Sequence, residues 1–190
     1  MSELTLKPFA PLTDIESTYE GCSIRQITDR ALVSVSTPLG GEKKLAANVM
    51  KSYGTKIPKT GQSTTGNSQN IQLLGLQPDQ LFLYFTYDGN DPVEMVEQHL
   101  GDAGYYCDQS DSWVIIALEG PNAHLALERI CSLDLHPDVL IKGAVTRTQM
   151  EHLGVIVYRS GLDEFTLFSA RSSAKSFHHA IITSIKNVTT

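Results

Sequence analysis

An uninterrupted apolar run, Trp113 to Leu118, closed by Glu119-Gly120-Pro121, most limits what this chain can fold into. The run is too short to cross a bilayer, and it suits a strand buried on both faces. Gly120 is placed to act as an N-cap and Pro121 as the first helical residue, where a missing N–H is harmless. Ala123, Ala126, Leu127 and Ile130 then recur at helical spacing and predict one apolar stripe, with Asn122, His124, Glu128 and Arg129 on the wet side. After Cys131 comes a tight corner, Asp134-Leu135-His136-Pro137, and Ala144 to Gln149 predicts a second strand. Trp113 to Met150 is thus a strand–helix–strand unit with a marked corner.

The flanking chain supplies comparable elements. Met1 to Tyr19, with Pro8 and Pro11 and no sustained period, is expected to be an extended arm. Ile24 to Ile27 and Ala31 to Ser36 alternate as strands around a turn near Asp29-Arg30. Pro38-Leu39-Gly40-Gly41 introduces a helix with Leu45, Val49 and Met50 on its stripe, ending near Gly54. Lys56 to Asn70 has loop composition, and Gly61 and Gly66 fit neither dinucleotide nor P-loop spacing. Ile71 to Leu76 and Gln80 to Thr86 form a strand pair around Gln77-Pro78-Asp79. Asp91 caps a helix with Pro92 at its first position and Val93, Val96 and Leu100 on one face. Tyr105 to Asp108 is a short strand, as are Leu153 to Tyr158 and Glu164 to Phe168, which turn at Ser160-Gly161. Ser173 to Ile185 is an amphipathic helix with Ser172 as its expected cap.

The pairs Pro38 and Pro121, Phe82 and Phe165, and Phe85 and Phe168 all stand at one common offset. Each half of the chain also reads strand–helix–strand–strand–helix, the pattern of a split βαβ unit. The expectation is an α+β fold of two ferredoxin-like halves with mainly antiparallel sheet. It comprises one domain, 1–190, with subdomains of approximately 20–105 and 106–190.

Composition removes several classes of function. The net charge is −6, from 15 Lys and Arg against 21 Asp and Glu, and no basic run interleaves with aromatics. Nucleic acid and anionic membrane surfaces are therefore poor partners. Cys22, Cys107 and Cys131 are scattered and read as reduced, buried thiols, and the N-terminus lacks the pattern of a secretory signal, so a cytoplasmic location is expected. The six histidines fit no metal-binding spacing. No G-x-G-x-x-G follows a strand, so no dinucleotide site is recognisable. Asp108, Asp111 and Glu119 flank the buried run and read as strand-end groups rather than an acid–base pair. His136 is read as fixing its corner by hydrogen bonding, with partner contact as the alternative. Arg147 lies on a sheet face, where a guanidinium needs a carboxylate, a phosphate or a partner protein. Asp134, His136 and Arg147 are accordingly the candidate subunit-interface residues, and the chain presents no catalytic, cofactor or metal residues of its own.

Several ordered motifs carry a family resemblance. They are Asp108-Gln109-Ser110-Asp111, Leu118-Glu119-Gly120-Pro121, Cys131-Ser132-Leu133-Asp134-Leu135-His136-Pro137 and Gly143-Ala144-Val145-Thr146-Arg147-Thr148, followed by Asp163-Glu164-Phe165, Ala170-Arg171-Ser172 and Ser176-Phe177. The chain resembles the gamma subunit of heterotetrameric sarcosine oxidase, densely from about Tyr106 to Ile182 and more loosely from Ile24 to Phe85. That resemblance implies the folate-binding fold of the glycine-cleavage T-protein. It also implies a non-catalytic subunit that supports assembly with alpha, beta and delta subunits. FAD, FMN, NAD and tetrahydrofolate are implied for the assembled complex, with none bound by this chain alone. The assembled enzyme would demethylate sarcosine to glycine, with hydrogen peroxide and 5,10-methylenetetrahydrofolate or formaldehyde as further products. Two alternatives stay open: a gamma-type subunit of a related N-methyl amino acid oxidase or dehydrogenase, such as N-methylglutamate dehydrogenase, and a free-standing folate-binding protein.

Overall fold

The computed structural model describes residues 9–12, 15–67 and 70–189. Among the described residues eleven strands form two sheets in which every strand pair is antiparallel. The first comprises β3 (Arg30–Ser36), β4 (Ser63–Thr65), β5 (Gln72–Gln77), β6 (Gln80–Thr86) and β7 (Tyr105–Asp108), in the order β4-β5-β6-β3-β7. The second comprises β1 (Glu16–Tyr19), β2 (Cys22–Ile27), β8 (Trp113–Glu119), β9 (Val145–Met150), β10 (Leu153–Arg159) and β11 (Glu164–Ala170), in the order β1-β2-β8-β11-β10-β9.

Helices α1 (Glu42–Tyr53) and α2 (Pro92–Leu100) cover the outer face of the five-stranded sheet. Leu45, Val49, Tyr53, Val96 and Leu100 pack there on Val33, Leu73, Leu83 and Phe85. Helices α3 (Ala123–Glu128) and α4 (Ala174–Val188) cover the six-stranded sheet through Ala123, Leu127, Phe177, Ile181 and Ile185. The inner faces meet each other. Phe82 stacks edge-on against Trp113 and Tyr84 against Phe168, joining the sheets around Leu32, Leu74, Ile115 and Ile156. Strands such as β3, β6, β8 and β11 are apolar on both faces because a helix layer lies on one side and a sheet on the other. The expected α+β architecture with mainly antiparallel sheet is therefore borne out.

The two sheets repeat one another strand for strand: β4-β5-β6-β3-β7 matches β9-β10-β11-β8-β2. The matching strands β2 and β7 are exchanged. Strand β2 precedes β3 in the chain but pairs with β8, whereas β7 precedes β8 but pairs with β3. The expected turn near Asp29-Arg30 consequently passes from one sheet to the other and is not a hairpin. The common offset holds for Pro38 and Pro121 and for β3 and β8, but the phenylalanine pairs mislead. Phe82 pairs across from Ser34 and Phe165 from Leu118, a register one residue out of step. Phe85 accordingly enters the helix-side core while Phe168 enters the core between the sheets.

Other expectations need local correction. The arm closes with β1, an edge strand on β2; its residues 1–8 and 13–14 lie outside the described residues. The Lys56–Asn70 loop contains β4, and Met50 is exposed. Helix α3 begins after Asn122 because the turn before it is already engaged. Asn122 donates its N–H to Gly21 O, Gly120 donates to Asp163 O, and φ at Gly120 is +119°. A Cβ on Gly120 would stand 2.6 Å from Gly21 O, so this position is a clasp on the β1–β2 turn. Helix α4 follows a short 3-10 turn, Arg171–Ser173, and its N-cap Ser173 makes no side-chain cap bond. The Asp91 cap holds as expected, accepting from Glu94 N at 2.9 Å.

Candidate subunit interface

The corner between α3 and β9 is built from turns. Asp134 Oδ1 accepts from His136 N at 2.9 Å, and His136 O accepts from both Val139 N and Leu140 N. His136 Nδ1 accepts weakly from Asp138 N at 3.3 Å, and lies 3.6 Å from Asp138 Oδ2, an ion pair only when the imidazole is protonated. Both expected corner residues thus act locally, Asp134 by closing an Asx-type turn and His136 by tying down the backbone that follows. Their side chains otherwise face solvent.

Arg147 sits elsewhere, exposed on β9 at the edge of the six-stranded sheet. Its guanidinium makes no hydrogen bond or ion pair with any described residue, and no bond joins it to Asp134 or His136. The ends of β9 are engaged: Val145 N donates to Gly61 O, and Cys131 bridges to Met150. Between them, Thr146 to Gln149 pair with no further strand among the described residues, and Arg147 lies on that edge.

Sequence reasoning missed the residue that organises the corner. Arg159, at the end of β10, is 2% exposed and has no carboxylate partner among the described residues. Its guanidinium instead binds backbone carbonyls. Nη1 donates to Leu135 O at 2.8 Å and Leu140 O at 3.0 Å, Nε to Leu162 O at 3.1 Å and Gly161 O at 3.3 Å, and Nη2 to Leu162 O. The ring of Phe165 lies beneath it, 5.1 Å from the guanidinium carbon. A planar five-donor fork can satisfy several carbonyls at once, which no other side chain does. The only sequence signal was a charge closing an apolar strand, which reads equally well as an ordinary strand end. The acceptors are backbone atoms and leave no trace in side-chain pattern.

The remaining candidates are paired structurally. Asp111 binds Arg171 at 2.9 Å, Glu119 binds Arg25 at 3.4 Å, and Asp108 Oδ1 accepts from Ser110 N at 2.8 Å. Among the described residues no group of three or more His, Cys, Asp or Glu could hold a metal ion. A groove of about 420 Å³ runs between α4 and the β9–β10 turn, lined by Arg129, Glu151, Leu153, His179 and Thr183. Among the described residues the buried side-chain polar atoms without a partner, Gln26 Oε1, Tyr53 OH, Trp113 Nε1, Ser169 Oγ and His178 Nε2, lie on five different elements and line no common groove, so they offer a pterin no shared binding slot. No described helix is long and apolar enough to cross a membrane.

Two helix-covered antiparallel sheets packed face to face define a T-protein-like fold. The chain superposes on the glycine cleavage system aminomethyltransferase T of Bartonella henselae with a TM-score of 0.66 at 18% identity, covering 85% of this chain and 45% of that one. It superposes on a chain of the heterotetrameric sarcosine oxidase of Corynebacterium sp. U-96 with a TM-score of 0.78 at 22% identity, covering 92% and 88%. No family model matches the sequence. In sequence it is similar to sarcosine oxidase subunit gamma of an Arthrobacter species, 29% identical over 76% of this chain and 70% of the relative. The gamma subunit of Corynebacterium sp. strain U-96 is 26% identical over 95% of this chain and 90% of the relative. The resemblance read from the motifs is thus borne out: relatives of this chain are gamma subunits of sarcosine oxidase.

Proposed function

We propose that this chain is the non-catalytic gamma-type subunit of a sarcosine oxidase complex and supports assembly of that flavoenzyme. The observation that carries the reading is similarity to one gamma subunit along almost the full length of both chains. What the candidate residues add is that Asp134 and His136 fix turns and Arg147 faces solvent, which suits a supporting role. Residues 1–190 form a single domain whose two repeats, about 20–105 and 106–190, are locked by the exchange of β2 and β7. The partners are the alpha, beta and delta subunits, which hold FAD, FMN, NAD and tetrahydrofolate, in the cytoplasm. Asp134, His136 and Arg147 contribute to contacts with those subunits.

The test is a tagged purification from native cells, reading the mass of the assembly and its visible spectrum. A large yellow complex that oxidises sarcosine is expected. A colourless lone chain under gentle conditions, or stoichiometric flavin on this chain alone, overturns the proposal. A panel of N-methyl amino acids on the complex separates sarcosine from its analogues.

A further inference from the structure

We propose that Val139, Ile141 and Leu162 form the centre of a docking surface, held rigid by Arg159, for a different polypeptide whose contact face is apolar with a Lys- and Arg-rich rim. The inference rests on the subunit reading and names the surface that carries it.

The three side chains are 60%, 55% and 66% exposed, in a segment whose other aliphatics, Leu135 and Leu140, are buried. They are brought together by one guanidinium. Leu140 O and Leu162 O both lie within hydrogen-bonding distance of Arg159, so Val139 and Ile141, which flank Leu140, share a neighbourhood with Leu162. Further bonds fix the same loop: Gly143 N donates to Arg159 O, Arg159 N to Ala144 O, and Ala144 N to Ile141 O. Burying a guanidinium without a carboxylate is costly, and here its donors hold two turns that present aliphatic groups to water. Such rigidity reduces the ordering cost of association, which is the physical use of a preorganised surface.

Charge selects the occupant. Asp134, Asp138 and Asp163 border these residues in the chain, and none is paired with Lys or Arg among the described residues. Asp138 has only His136 beside it, and Lys142 is the one lysine or arginine in the segment 134–144, the Arg159 guanidinium being buried beneath it. A second copy would bring acidic rim against acidic rim, whereas a basic-rimmed partner is attracted at long range and in register. The unpaired Arg147 lies apart on β9 and is not needed for this contact.

The experiment uses the tagged chain purified from its native cells together with its partner chains. Ile141→Glu with Leu162→Glu should lower recovery of flavin-bearing partners per tagged chain about tenfold or more, because a charge is placed at a desolvated centre. Leu39→Glu with Tyr105→Glu, still more exposed apolar sites on the other sheet's side, should leave recovery at the wild-type level. Independently of any variant, zero-length carbodiimide coupling of the wild-type complex should join Asp134, Asp138 or Asp163 to lysines of a different chain. Undiminished recovery with Ile141→Glu/Leu162→Glu overturns the surface, as does equal loss with both pairs of variants, or coupling only to a second copy. A wild-type chain that brings down neither partner nor flavin fails the subunit reading itself and takes this inference with it.

Discussion

Arg159 Nη1 lies 2.8 Å from the carbonyl oxygen of Leu135, far back along the chain, and 3.0 Å from that of Leu140. One side chain thus closes the corner on both its limbs while its Nε holds the β10–β11 turn. Arg159→Met keeps much of the apolar volume and removes every donor. It should destabilise the chain by on the order of 3 kcal/mol, since several buried carbonyls lose a charged donor together. Arg159→Lys should recover little, because an ammonium cannot span the same fork. Urea unfolding of the isolated chain gives the stability. Hydrogen exchange should show faster exchange confined to residues 134–144 and 160–163.

Arg147 illustrates the opposite case. It is exposed, unpaired among the described residues and carried on the open middle of an edge strand. Arg147→Ala should change chain stability by less than about 0.5 kcal/mol. If the β9 edge meets a partner, the same change should weaken assembly while leaving turnover per flavin unaltered. Analytical size exclusion across a dilution series, with turnover normalised to flavin absorbance, reads both effects.

Much of this architecture was legible because pattern and burial agree. The Trp113–Leu118 run is apolar throughout because both faces of β8 are covered, and Asp91-Pro92 announces α2 through a cap that the structure makes. The exchange of β2 and β7 was not legible. Which strand a β2-like segment pairs with is decided by long-range packing, and its own alternation is the same in either sheet. The Phe pairs failed for a related reason: a one-residue difference in register moves a side chain to the opposite face without disturbing its spacing in sequence. At the site, Asp134 and His136 were visible as a turn signal, whereas Arg159 was not, since its partners are main-chain oxygens.

His178 lies on α4 with its Nε2 buried and without a hydrogen-bond partner among the described residues. Burial, and then the neighbouring His179, push its pKa below the ordinary imidazole value. The unfolded chain therefore binds the proton more tightly than the folded one. The stability linked to this group is complete above an ordinary histidine pKa of about 6.5 and is lost as pH falls through that value toward the depressed folded one. His178→Met should flatten the part of the stability–pH curve due to this group. Urea midpoints between about pH 5 and 7.5 measure it, and an unchanged slope in the variant would show that other groups carry the dependence.

The three thiols differ in access. Cys22 is buried in the helix-side core, and burial pushes its pKa up to about 11; Cys131 is also buried, whereas Cys107 is exposed on β7. Because the thiolate is the nucleophile, iodoacetamide at mildly alkaline pH should modify Cys107 alone in the folded chain and all three after denaturation. Peptide mass mapping distinguishes the sites. Rapid labelling of Cys22 under native conditions would contradict the packing of β2 against α3 and α4.

The β9–β10 hairpin turns through Glu151 and His152, which hold φ of +47° and +69° between the paired residues Met150 and Leu153. Two successive left-handed residues are the signature of a type I′ turn, whose twist suits a two-residue hairpin and which favours Asn-Gly. A side chain in that region is strained by roughly 1–2 kcal/mol per residue, though glycine loses part of this gain through the greater freedom of its unfolded chain. His152→Gly should therefore raise stability by about 0.5–1 kcal/mol, and Glu151→Asn combined with it should raise it further. Both positions are exposed, so no packing is lost. Thermal and urea unfolding of the isolated chain test this directly. A fall in stability would mean that Glu151 or His152 makes a favourable contact outweighing the backbone strain.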